Sequence, residues 1–221
     1  MKRVNRFVDA LKPDFGPLQY VNYLSGCFLF SYGAGCFIAS NLGTDPLDVF
    51  SLGLLRHLPI TVGIAQGGFA AACLGIWALW NRRIPIVSPF VTFFLCGSLI
   101  DLWMYTHAAQ RLGLGPSGLL LTGVSLCAYG SSLIIMSGIG IRAMDLVAIT
   151  ATYKCGLPFW LCKGVAEVFL LVSGWWLGGP VGIGTIVFLV FVGWMIQPVM
   201  WANRKLLGIQ NFGLPPLEQT N

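Results

Sequence analysis

The sequence predicts an all-α, polytopic membrane protein with about six transmembrane helices and two short re-entrant or interfacial helices. Three observations predict it. The 221 residues are 56% apolar and only 10% charged, with a mean hydropathy of +0.78, a composition foreign to soluble domains. Four long stretches, Gly16 to Thr44, Leu58 to Asn81, Leu112 to Ile141 and Val168 to Asn203, carry no charge at all, and a membrane helix needs roughly 20 apolar residues. The chain also repeats itself. Shifted by 97 residues, Gly26 to Asp48 lies on Gly123 to Asp145 with eight matches in 23 positions: Gly26/Gly123, Leu29/Leu126, Tyr32/Tyr129, Gly33/Gly130, Ile38/Ile135, Ser40/Ser137, Gly43/Gly140 and Asp48/Asp145. Chance gives about two in a chain this rich in Gly and Leu.

The elements follow in order. MKRVNRFVDALKPDFG is basic and mildly amphipathic, and it has no apolar core ahead of a small-residue cleavage site. It therefore reads as a cytoplasmic lead-in rather than a signal peptide. Six spans are expected at about 19–40, 60–81, 86–107, 114–137, 158–178 and 182–203. The last charge-free stretch holds one whole helix and the end of another, with a turn at Gly178 to Gly182. Between the first two spans lies Asn41 to His57, and between the fourth and fifth lies the matching Gly138 to Lys154. Each opens on a glycine-containing break and continues as about three helical turns, too short to cross roughly 30 Å at 1.5 Å per residue.

The duplication covers nearly the whole chain, which forms one membrane domain (1–221). Repeat one is expected over about 19–107 and repeat two over about 114–203, with cytoplasmic tails at 1–16 and 208–221. Gly67 lies on Gly164 and Gln66 on Lys163 at the same offset, and with a one-residue slip Gly97 to Met104 lies on Gly193 to Met200, so that Asp101 meets Gln197. With the N-terminus inside, the cytoplasmic side collects Lys2, Arg3, Arg6, Lys12, Arg82, Arg83, Arg142, Lys154, Arg204 and Lys205, and the outside keeps Arg56 and Arg111. That bias fits the positive-inside rule. Three spans per unit is an odd number, so the second copy enters from the opposite side and the repeat is inverted. If the short helices also span, there are eight helices and the repeat is parallel.

Five of the eight acidic residues fall in or beside the membrane: Asp45, Asp48, Asp101, Asp145 and Glu167. A carboxylate there costs roughly 2.5–3.5 kcal/mol on insertion scales and is kept when it faces a cavity, a partner charge or a ligand. Asp48 and Asp145, each at the start of a short helix, read either as N-caps or as carboxylates lining a central cation or proton site. Asp45 aligns with Arg142, so the two either meet near a pseudo-twofold axis or sit at separate water interfaces. Lys163 and Glu167 are one turn apart. The lysine can snorkel, and the pair can also neutralise itself or form a proton or anion site. Asp101 lies towards the outer surface and reads as a structural partner. Tyr32 and Tyr129, each followed by glycine, are packing positions or binding candidates. Ser40 and Ser137 precede the breaks, where a hydroxyl satisfies freed backbone groups.

Other chemistries leave no mark. The seven cysteines form no CxxC or Cys/His cluster and read as small packing residues. The net charge of +5 comes from basic loops, so no nucleic-acid partner is expected. There is no P-loop, GxSxG, HExxH or Ser/His/Asp arrangement, and no enzyme activity, cofactor or metal is expected.

The first break, Gly43, Thr44, Asp45, Pro46 and Asp48, followed by a short loop and TVGIAQG, resembles the YczE/YyaS/YitT family of bacterial integral membrane proteins. The second copy, GIGIRAMDLVAI, matches more weakly, with Arg142 and Ala143 in place of Asp–Pro. Without the soluble C-terminal domain of the YitT branch, the chain is nearer the short YczE-like branch. The resemblance implies a polytopic protein of the bacterial inner (plasma) membrane and supplies no substrate. Three functions stay open: a small secondary transporter or permease of a small polar or amphipathic molecule, a substrate-binding membrane subunit acting with a partner, and an accessory or scaffold protein. The lipid bilayer is the expected surrounding, and a homo-oligomer or partner subunit is compatible with each.

Overall fold

The computed structural model describes residues 15–82, 84–85, 87–140, 142–206 and 208–211. The basic positions Lys2, Arg3, Arg6, Lys12 and Arg83, with most of both expected tails, lie outside them. Among the described residues the chain is helical, with eight principal helices: α1 (Pro17–Ser40), α2 (Pro46–Leu55), α3 (Val62–Asn81), α4 (Ser88–Tyr105), α5 (Pro116–Ser137), α6 (Ala143–Cys155), α7 (Phe159–Trp176) and α8 (Ile183–Leu206). A short 3-10 turn, Gln110–Leu112, precedes α5.

Local chemistry sets the ends. α1, α2 and α5 begin on a proline, whose fixed φ and missing N–H suit a first helical position. Left-handed residues close α1 (Asn41, φ 55°), α3 (Arg82, φ 52°), α5 (Gly138, φ 74°) and α6 (Gly156, φ 70°). Among the described residues five helices, α1, α3, α4, α5 and α8, are long and apolar enough to cross a membrane. The remaining expected span is the 18-residue α7, which carries Lys163 and Glu167. The two short helices have 10 and 13 residues, in line with the three turns expected.

The centre of the bundle is the α1–α5 pair. It is antiparallel: Gln19 Nε2 donates to the Ser137 carbonyl at 2.9 Å, Gly26 sits against Gly130, and Gly33 sits against Gly123 and Cys127. A Cβ on Gly26 would stand 2.8 Å from the Gly130 carbonyl oxygen, and one on Gly33 3.0 Å from that of Gly123. Only small residues let two backbones approach so closely. α4 lies against α1, with Ser31 Oγ donating to the Cys96 carbonyl at 3.1 Å and the Tyr23 and Thr92 hydroxyls 2.9 Å apart. On the other side α8 lies against α5, where Asn203 Nδ2 donates to Ser132 Oγ at 3.2 Å.

The breaks determine where the short helices start. At 1.5 Å per residue α1 is about 36 Å long, and because α5 runs antiparallel to it, Ser40 and Ser137 lie at opposite ends of the pair. Yet Leu47 and its counterpart Met144, each the second residue of a short helix, lie in one buried cluster. Extended segments of four or five residues cover roughly 13–17 Å, so each break must turn back towards mid-height. α2 then runs out along α7, where Gly53 meets Gly174 and Arg56 meets Gly178. α6 runs to the opposite end, where Lys154 Nζ donates to the Trp80 carbonyl at 2.7 Å. Each short helix therefore starts inside the bundle and runs out to one end of it.

Candidate functional site

The two breaks use the same turn. Ser40 Oγ donates to the Phe37 carbonyl at 2.6 Å and accepts from Leu42 N at 3.2 Å. Ser137 Oγ donates to the Ile134 carbonyl at 2.6 Å and accepts from Ile139 N at 3.1 Å. Each serine thus satisfies backbone groups freed where its helix stops. Beyond the turn the two breaks differ. The first passes through Gly43, whose φ of +103° disfavours any side chain. It is clamped to the start of α8, where Gly184 N donates to the Leu42 carbonyl at 2.7 Å.

The expected N-caps are corrected. Asp45, not Asp48, caps α2: its Oδ1 accepts from Asp48 N at 2.6 Å. Pro46 occupies the first helical position, so the residue before it is the cap. On α6 the cap position is Arg142, without a side-chain cap bond. Asp48 and Asp145 are instead both third residues of their helices, where a carboxylate still gains from the positive end of the helix dipole.

Asp48 is 1% exposed. Its Oδ1 accepts from Gln66 Nε2 at 2.7 Å, and its Oδ2 accepts from the Thr44 hydroxyl at 3.3 Å. Thr44, Asp45 and Gln66 are buried as well. Hydrogen bonds to a charged group contribute about 1.5–3 kcal/mol each, less than the several kcal/mol that burying a carboxylate costs. The Asp48 carboxylate is thus held by neutral donors, an arrangement that can accept a proton or a cation. Sequence reasoning missed Thr44 and Gln66 as part of this cluster. The alignment of Gln66 with the charged Lys163 was the available signal.

The second break balances its own charge. Arg142 Nε donates to Asp145 Oδ2 at 2.9 Å, and Nη2 reaches Oδ1 at 3.5 Å. Lys163 Nζ lies 3.5 Å from Glu167 Oε1 on α7. The first turns of α2 and α6 share one buried cluster through Leu47, Ala143 and Met144, which is where the two breaks approach. The tyrosines stand apart from these contacts. The Tyr32 ring meets Trp103 edge-on at 5.3 Å and its hydroxyl donates to the Ala108 carbonyl at 3.4 Å. Tyr129 is half-buried, and its carbonyl accepts from Ser132 Oγ at 2.7 Å. Asp101 is structural, as expected: its two oxygens accept from Val62 N and Gly63 N, both at 2.8 Å, at the start of α3.

Similarity to other proteins agrees with this architecture. A family of unknown function (DUF6198) matches residues 17–200. The Bacillus subtilis (strain 168) protein described as uncharacterized membrane protein YczE is 26% identical over 191 residues, 86% of this chain and 89% of that one. YyaS of the same organism is 26% identical over 194 residues, 83% of this chain and 92% of its own. An uncharacterized Haemophilus influenzae protein is 21% identical over 171 residues, 75% of each. No solved structure matches. The resemblance read from the first break is thus borne out, and the chain is a membrane protein with several apolar helices.

Proposed function

This chain belongs to the family of unknown function DUF6198, and we propose that it is a small secondary transporter or permease built from two inverted repeats. Its substrate is a small polar or amphipathic molecule, bound at the membrane midplane between Asp45, Asp48, Arg142 and Glu167. The protein sits in the bacterial inner membrane with both termini in the cytoplasm, and it is not an enzyme.

One observation carries the reading: two short helices with acidic first turns start inside the bundle and share one buried cluster through Leu47, Ala143 and Met144. Discontinuous helices whose starts meet at the midplane are how many secondary transporters form their binding sites. Pairing of contacts supports the inverted repeat. Exchanging each residue for its counterpart 97 positions away turns the Gly26–Gly130 contact into the Gly123–Gly33 contact. It also turns the Gly53–Gly174 contact into the Thr150–Trp77 contact, where Trp77 Nε1 donates to Thr150 Oγ1 at 2.9 Å. The second example owes nothing to sequence identity, because the residues differ.

The test has two parts. Single cysteines at Arg56 and Lys154 in a cysteine-free background are labelled in intact cells with a membrane-impermeant reagent. The expected result is labelling of 56 from outside and of 154 only after lysis, and labelling of both from one side sinks the inverted repeat. Asp48→Asn is then compared with wild type in a ligand screen by thermal shift and in proteoliposome flux. Gln66 can turn its amide to meet an asparagine, so the variant folds. It is expected to lose at least tenfold in affinity or flux for any ligand the wild type takes, and unchanged affinity and flux remove Asp48 from the site.

A further inference from the structure

The repeats are closed in one half and open in the other. In the first, α3 packs on α4. A Cβ on Gly97 would stand 2.7 Å from Gly63 Cα, and one on Gly67 3.1 Å from the Phe94 ring. Their counterparts are Gly193 on α8 and Gly164 on α7, and a Cβ on either would meet nothing within 4 Å. α7 packs on α2, through Gly53 and Gly174, as α3 packs on α6 through Trp77 and Thr150. The counterparts of the Phe90 and Phe94 rings that cover Gly67 are Ile186 and Val190, and these are 63% and 57% exposed.

α8 has what a bending helix needs, and α4 does not. Residues Phe188–Val192 form a π-helical turn, and Pro198 lies inside the helix six residues further on. A π turn and an internal proline are two recognised sources of helix kinks. The helix is also held at both ends. Asn203 ties its far end to α5, while Gly182 and Gly184 are clamped on Leu42 and Gly43 of the first break.

We propose that α8 is the moving element of this protein: it bends at Phe188–Val192, closes onto α7 at Gly164 and Gly193, and carries the first break with it. Because Leu42 and Gly43 ride on the start of α8, bending shifts Asp45 and Asp48 relative to Arg142. The inference rests on the inverted-repeat reading above, since the closed α3–α4 seam serves as the template at Gly67 and Gly97, with Trp160 in place of Gly63 as the residue that Gly193 would receive.

The experiment is double electron–electron resonance on the full chain in nanodiscs, with spin labels on cysteines at Val168 and Ile186 in a cysteine-free background. A pair at Ala71 and Val91, across the closed seam, is the reference. The expected result is two populations for 168/186, the shorter one within a few ångströms of the label distance across the reference seam, whose helix axes lie about 8–10 Å apart. The double variant Gly164→Leu, Gly193→Leu fills open space, so it folds as judged by gel filtration and loses the shorter population. Deleting Val190, which removes the extra residue of the π turn, also leaves one population.

A single long distance in the wild type overturns the proposal, as does a short population that survives the double leucine variant. A short distance between two copies labelled at Ile186 alone overturns it as well, because the seam is then filled by a second copy. A fixed seam alongside ligand binding sinks the hinge and leaves the transport reading standing. Two populations alongside same-side labelling of 56 and 154 do the reverse.

Discussion

The α3–α4 and α7–α8 seams share two glycines, Gly67/Gly164 and Gly97/Gly193, while Gly63 has Trp160 as its counterpart, and the seams end in opposite states. Gly63 and Gly97 bring the first two helices into backbone contact, while Gly164 and Gly193 face open space. The first pair is also fastened at its end by Asp101, which holds the start of α3 through two backbone N–H groups. The counterpart of that aspartate is Gln197, and among the described residues no hydrogen bond from its side chain ties α7 to α8. Glycine permits close approach, and something else must hold it. Repeated sequence therefore sets the list of contacts available to each half without deciding which are made.

The breaks show the same contrast in charge. The second closes its ion pair within one helical turn, Arg142 to Asp145. The first buries two carboxylates on neutral donors of its own repeat, Thr44, Gln66 and the Asp48 N–H.

The comparison breaks most visibly at the glycines. Gly97→Leu drives a side chain into Gly63 and the Gln66 amide, and overpacking of this kind costs about 3 kcal/mol or prevents folding. Gly193→Leu should stay within about 0.5 kcal/mol of wild type. Thermal unfolding in detergent reads both, and equal losses would mean the second seam is closed in solution. Asp101→Ala frees two N–H groups of α3 and should cost about 2 kcal/mol, against no measurable change for Gln197→Ala in the same assay. Asp145→Asn leaves Arg142 without its fork partner. Because the two side chains are 37% and 20% exposed, solvent screens part of the loss and about 1 kcal/mol is expected. The smallest effects should also be the most alike: Ser40→Ala and Ser137→Ala each remove the same turn and each lower stability by about 0.5–1 kcal/mol. Clearly unequal losses there would show that the two turns are not equivalent.

The helices were legible in the sequence because the charge-free runs are long. The expected 60–81 and 114–137 became Val62–Asn81 and Pro116–Ser137. The short helices were legible because a glycine-containing break recurs at a fixed offset. The cap was misread although its signal was present, since Pro46 points to Asp45. Thr44 and Gln66 were missed because their hydrogen bonds to Asp48 depend on how the first break and α3 are placed, which spacing along the chain does not reveal. The open seam had one sequence signal, Trp160 at the position equivalent to Gly63, whereas Gly67 and Gly164 look alike until the neighbouring helices are in position.

The glycine contacts of α1 and α5 have one more consequence. Each half offers the other a surface that fits a copy of itself, since Gly26 meets Gly130 where Gly123 meets Gly33. Such a surface is self-complementary in the manner of a twofold dimer interface. The segment joining α4 to α5 therefore supplies proximity rather than fit. A gene cut at Gly113, which lies in that segment with open space around it, should yield two fragments that find each other in the bilayer.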